Sequence, residues 1–414
     1  MPRRRSARAL NNDVAIRDAA IELILSEGID AISFRDVGRV AGLTHGALYA
    51  RFEDVEELLV DLWCEALCHE AVDLCENALG AASSPSEETV RKLFDFIGEG
   101  TPARVATVHV LLTSRRFPIL HEEVERFIHD YLESNEADLS NAVRSRALVL
   151  ISLVIIEVLT TSLFGSDREH SEFLMVVVLE SLRVSPDDVP SIELVEPNDR
   201  LIPAPKNDLQ SQLAYYTFGA VGKSGYTKAT ISRISRRANC SPGAIYKLYP
   251  SKEDLVIASL RNVMTAPWIT VSSIADILEV GSLAQLLYSS ASTQNEVRKS
   301  FTLEVAMASA HSEKLRTAVQ KQLRALAALV PLITGVDDEE RNRFKYMLRT
   351  VVFLTLGVSF LSTITKATDQ IDFNQFAEPL RRSLLKQVQP SWLDIRRQLQ
   401  SFSGSVRPAE SGAE

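Results

Sequence analysis

The chain has 414 residues, 46% apolar and 24% charged, with 17 Gly and 16 Pro. At about 150 residues per domain it has room for two or three globular domains, which excludes a mini-protein, a collagenous chain and a wholly disordered one. Its net charge of −9 argues against a surface that binds polyanions everywhere, so any nucleic-acid function has to rest on a local patch.

The first residues carry Arg3, Arg4, Arg5 and Arg8 with no apolar run behind them, which reads as a basic arm and not as a signal peptide. Ile16, Ala19, Ala20, Leu23 and Ile24 follow the spacing of one helix face, predicting a helix over about Val14 to Glu27 that ends in a left-handed cap at Gly28. A short helix capped by Ser33 stops at Gly42-Leu43, and another begins with Thr44 as its cap. A longer helix starts at Asp54, which with Glu57 approximates a capping box. Cys64, Cys68 and Cys75 are expected as buried small side chains on a core-facing stripe, not as a metal site or thiol switch. Four cysteines in all, Cys240 the last, point to a reducing cytoplasm and not to a secreted disulfide framework.

The run from Ala147 to Phe164 is long enough to span a membrane but contains Glu157, and no comparably clean stretch accompanies it, so a buried interface helix is expected. Pro186, Pro190, Pro197, Pro203 and Pro205 make residues 185–206 a linker. Beyond Trp392 a helix is expected to about Ser401, and residues 403–414 read as disordered.

The chain also repeats. At a constant offset of 197, Gly28 falls on Gly225, Arg39 on Arg236, Ala41 on Ala238, Gly46 on Gly243, Ala47 on Ala244, Tyr49 on Tyr246 and Leu58 on Leu255. The apolar stripe recurs as Leu213, Tyr216, Thr217, Ala220 and Val221, and the caps recur as Thr230, Ser241 and Ser251. A duplicated helical unit is the simplest explanation. Charge separates the copies: residues 206–262 hold nine Lys or Arg against three Asp or Glu, and residues 1–62 hold eight against eleven.

A helix, a tight turn and a helix, with a small residue after the cap and then a tyrosine, suit DNA. Helix N-termini and a tyrosine hydroxyl can hold phosphates while the helix enters the major groove. The residues Val40-Ala41-Gly42-Leu43-Thr44-His45-Gly46-Ala47-Leu48-Tyr49, within Gly28 to Phe52, and Ala238-Asn239-Cys240-Ser241-Pro242-Gly243-Ala244-Ile245-Tyr246-Lys247, running on to Leu255, resemble the TetR family of bacterial transcriptional regulators.

That resemblance implies an all-α fold of two tandem modules, each a three-helix helix-turn-helix head with a helical effector and dimerisation region. The expected division is 1–62 for the arm and first head, 63–184 for the first body, 207–262 for the second head and 263–402 for the second body. It implies recognition helices over Thr44 to Arg51 and Ser241 to Leu248. His45, Tyr49, Tyr246 and Lys247 would lie toward the major groove, Arg35 toward a base or phosphate, Thr44, Ser241 and Lys252 toward phosphates, and Arg51, at the end of the first recognition helix, would also contact DNA. Arg3, Arg4 and Arg5 would enter a minor groove.

The expected partners are a double-stranded DNA operator and a small, largely apolar effector with one polar or acidic end met by Arg104, His109, Arg115 or Arg298. Whether two chains associate is left open. No catalytic arrangement, metal site or cofactor is expected, and the location is the cytoplasm. The alternative reading is a DNA-independent helical scaffold with degenerate heads, for which the acidic run Glu53, Asp54, Glu56 and Glu57 speaks.

Overall fold

The computed structural model describes residues 7–134, 140–197, 205–264, 276–292, 296–327, 330, 333–389 and 391–405; among them every regular element is helical. Helix α1 (Ala7–Glu27) starts a full turn and more before the predicted Val14, because Ala7 to Asn12 contains no breaker and Ala, Arg and Leu favour helix. Arg8 therefore sits in the first turn of a helix; Arg3, Arg4 and Arg5 lie outside the described residues. Gly28 ends α1 with φ 90° and ψ 162°, a positive φ as expected, but extended and not left-handed helical. That region is open essentially to glycine alone.

One 3₁₀ turn leads to α2 (Phe34–Ala41), capped by Ser33, whose Oγ accepts from Asp36 N at 3.2 Å. Gly42 takes the left-handed conformation that turns the chain into α3 (His45–Tyr49). Thr44 stands at the cap position of α3 without making the side-chain bond. Asp54 caps α4 (Val55–Leu62), accepting from Glu57 N at 2.9 Å.

A π turn, Trp63–Leu67, joins α4 to α5 (Cys68–Ser83). Its wider turn rotates the helix face, which is why Cys64 is exposed although Cys75 is buried. The expectation of three buried thiols is corrected there: Cys64 is exposed, Cys68 partly buried and Cys75 alone of the three buried. The first body continues with α6 (Glu87–Glu99), α7 (Pro102–Thr113), α8 (Pro118–Ser134), α9 (Asn141–Phe164) and α10 (Arg168–Leu182). Past α10 the connecting segment is tied to the second half. Val195 exchanges two hydrogen bonds with the Gln285 amide, at 2.8 and 2.7 Å, and Asn374 Nδ2 donates to Ile192 O at 3.0 Å.

The second half runs through α11 (Leu209–Ser224), α12 (Ile231–Arg237), α13 (Pro242–Leu248), α14 (Lys252–Met264), α15 (Ser282–Ala291), α16 (Glu296–Ser309), α17 (Glu313–Ala327), α18 (Asp338–Leu361), α19 (Asn374–Val388) and α20 (Trp392–Ser405). In the turn where Gly42 serves the first copy, Asn239 takes φ 49°, the one positive φ outside glycine among the described residues. Helix α20 outlasts its expected end near Ser401, its N-terminal part held by the buried stripe Trp392, Ile395 and Leu399. The rest of the expected disordered tail, 406–414, lies outside the described residues.

Both ends of α18 fall 197 residues after those of α9, so the duplication extends beyond the heads. These two helices pack on each other, and α10 packs on α19, bringing four helices from two halves into one seam. Each of α9 and α18 is long and apolar enough to cross a membrane, which corrects the expectation of a single such stretch; 83% of each apolar window is buried inside the fold. Arg146, buried in the seam, donates to Leu182 O and Val184 O beyond α10 and to Gln375 O at the start of α19.

Gly357 brings α18 against α9: a Cβ there would overlap Ser152 O and lie 2.9 Å from Ser152 C. Gly357→Ala is expected to lower stability by about 1–3 kcal/mol through overpacking. Gly80→Ala, in α5 with nothing within 4 Å of the new atom, should raise it by about 0.5–1 kcal/mol. Urea unfolding midpoints of the two variants check this contrast.

Glu157 is buried in α9, 3.9 Å from His170 Nδ1, and burial pushes its pKa up to about 7, against the pull of Arg349. Burial holds His170 well below its ordinary value. A folded pKa above the unfolded one means that Glu157 costs stability as pH rises from about 4.5 through 7. Glu157→Gln should therefore gain on the parent as pH goes from 5 to 8, a gap read from unfolding midpoints at both values. A gap independent of pH would remove this assignment.

Candidate nucleic-acid interface

In the first head, Gly38 lets α3 lie close on α2: a Cβ there would meet Leu43 O at 3.0 Å and Leu48 Cδ1 at 3.2 Å. Leu48 and Val37 are wholly buried beneath, as are Ile245 and Ile234 in the second head. With these residues facing inward, the other face of each recognition helix is turned outward. Thr44, His45 and Tyr49 are exposed on α3, and Ser241, Tyr246 and Lys247 on α13; Arg35 is exposed at the start of α2. Tyr49 is 58% and Tyr246 53% exposed, high values for aromatic side chains. The Tyr49 ring is braced edge-on by Phe34 and His45, with centroids at 4.8 and 4.7 Å.

Two expected contacts are engaged inside their own heads. Arg51 is turned back to Asp13 at 2.6 Å and to Ala47 O at 3.0 Å. Lys252 donates to Tyr226 O and lies over the Tyr226 ring at 4.0 Å, and burial lowers its pKa. Ser241 caps α13, accepting from Ala244 N at 3.2 Å. The outward charge of the second head also includes Arg233, Arg236 and Arg237, exposed along α12. The basic count of that segment contained them, but nothing in their spacing singled them out. In the first head the exposed Arg39 is offset by Asp36 at 3.7 Å and Glu27 at 4.0 Å.

The expected effector residues are not brought together. Arg104 lies over the Phe96 ring and pairs with Glu70 and Glu99 at 3.0 and 3.2 Å. His109 is buried beside His311 of the second half, ring centroids 6.5 Å apart, and burial lowers its pKa to about 4. Arg298, with Lys299, lines a cavity of about 30 Å³, room for water and little more. Arg115 belongs to a junction that the sequence did not announce. Its Nη2 donates to the buried Glu304 at 2.5 Å; Arg116 pairs with Asp30 of the first head at 2.9 Å and with Glu304 at 3.6 Å; Glu304 also accepts from Tyr226 N of the second head at 3.1 Å. Asp30, Arg116, Glu304 and Tyr226 thus link the two heads through one buried carboxylate.

A family model described as bacterial regulatory proteins, tetR family, matches residues 16–62 and again 220–258. The chain thus carries two tetR-family segments, consistent with two TetR-like modules in tandem. Both matches fall on the heads just described. A search of curated proteins finds no match. The matched domain supports a DNA-binding transcriptional regulator.

Glu304→Ala would leave Arg115 without its anionic partner, and the loss should be about 3–5 kcal/mol, as for other broken buried pairs. A double-mutant cycle with Arg115→Ala, read by urea unfolding, should return a coupling well above zero. Additive single effects would mean that the two side chains do not interact.

Proposed function

We propose that this regulator is a repressor acting as a single-chain pseudo-dimer on an asymmetric operator and released by a small, largely apolar effector. The observation that carries the reading is the seam: α9 and α10 pack on α18 and α19 within one polypeptide, so two reading heads are held together without a second chain. The recognition helices differ outward, with Thr44, His45 and Tyr49 in one and Ser241, Tyr246 and Lys247 in the other. Tyr49, His45, Tyr246 and Lys247 are assigned to base edges, Arg35 to a base or phosphate, and Thr44 and Ser241 to phosphates. Lys252 would exchange the Tyr226 carbonyl for a phosphate, and Arg51 would act from its pair with Asp13. An effector acts by binding one relative placement of the heads more tightly than another, which is all that release requires.

Footprinting on the DNA upstream of the coding sequence, with mobility shifts at two salt concentrations, tests this. Two unlike half-sites are expected, about one helical turn or a multiple of it apart. Lys247→Ala should cost about 1–3 kcal/mol and relax preference at one position, while Lys252→Ala should weaken all sequences alike and reduce the salt slope by about 1. A perfectly palindromic footprint would mean that like heads of two chains bind together. No site-specific binding at either salt concentration would favour a DNA-independent scaffold, to which the acidic start of α4 is better suited.

A further inference from the structure

A cleft of about 540 Å³ opens along the seam, within the range that holds a small organic ligand. The first half contributes the loop between α9 and α10, and the second half contributes α17 and α18. Its apolar wall is made by Phe164, Leu348, Val352 and Phe353. Four cations stand round it, Arg168, Arg324, Lys345 and Arg349, against two carboxylates, Asp167 and Glu169.

The carboxylates and two of the cations are already engaged. Asp167 caps α10 and takes Arg349 at 2.6 Å, Glu169 accepts from Tyr346 Oη, and Arg168 pairs with Glu172 at 2.8 Å. Arg324 on α17 and Lys345 on α18 are exposed and have no carboxylate partner among the described residues; Lys345 Nζ lies 5.3 Å from the centroid of the Tyr346 ring. The lining is therefore an apolar wall beside two positive charges that no carboxylate neutralises among the described residues.

We infer that this cleft binds an amphipathic carboxylate, its apolar body against Phe164, Val352 and Phe353 and its carboxylate between Arg324 and Lys345. One molecule per chain is expected, because the cleft draws on unlike parts of the two halves. Binding would bridge the first half's α9–α10 loop to the second half. The link to DNA rests on the effector reading above; the binding itself does not.

Calorimetric titration of the full chain with decanoate, and with decanol and decylammonium as neutral and cationic counterparts, tests the site. Decanoate should bind at one per chain and raise the melting temperature, ahead of both counterparts. The double variant Arg324→Ala, Lys345→Ala should keep the parent's unliganded melting temperature and bind decanoate about tenfold or more weakly, the loss of two charge-assisted contacts. Arg298→Ala, in the separate small cavity, should bind as the parent does. Absence of decanoate binding, equal binding of decanol, or an unaffected double variant would overturn the assignment. A parallel mobility shift separates the two ideas. If decanoate binds as described and DNA affinity does not change, the cleft stands and its role as effector site falls. If decanoate releases DNA from the double variant as readily as from the parent, the cleft falls and effector control stands.

Discussion

Helix α9 is apolar on nearly every side, with buried residues at almost all positions from Ser145 to Thr160. Such a helix has no face to offer water and must be enclosed. Its own half covers part of it, through α5, α6 and α7, and the remaining face is met by α18 and α19 of the second half. The seam is thus a requirement of burial before it is a feature of regulation. The first head and first body share their core with much of the second body, while the second head closes around its own cluster, joined to α16 by Phe218 on Phe301 at 5.1 Å.

Much of this was legible in the sequence because it is local. Caps at Ser33, Asp54, Thr230, Ser241 and Ser251, the turn at Gly42, and the 197-residue repeat each depend on a few neighbouring residues. The outward position of Tyr49 and Tyr246 follows from the inward position of Leu48 and Ile245 one residue before each. What the sequence did not show is nonlocal. Arg51 faces Asp13 across 38 positions and Arg115 faces Glu304 across 189, and no periodicity records such pairs. The same holds for the cationic cleft, whose lining comes from the α9–α10 loop and from α17 and α18. The exposure of Cys64 depends on a π turn that has no compositional signature.

The heads differ in how their charge is used as well as in how much they have. In the first, Arg17 pairs with Asp61 at 2.9 Å, Arg51 with Asp13 and Arg39 with Asp36, so its cations mostly brace the head. In the second, Arg233, Arg236, Arg237 and Lys247 remain exposed on one small domain. A long-range field of positive sign is therefore concentrated on the second head, and the first contributes its exposed aromatic and polar surface.

The glycine at 357 has a further consequence. Its partner on α9 is Ser152, and the positions 197 residues away from these two hold Thr160 and Arg349. A pairing of two first-half helices would put a threonine side chain where even a methyl group overlaps a carbonyl. The contact is complementary between two unlike helices of one chain and is not self-complementary. The halves can thus diverge independently at their reading surfaces, while neither can be replaced at the seam by a copy of the other.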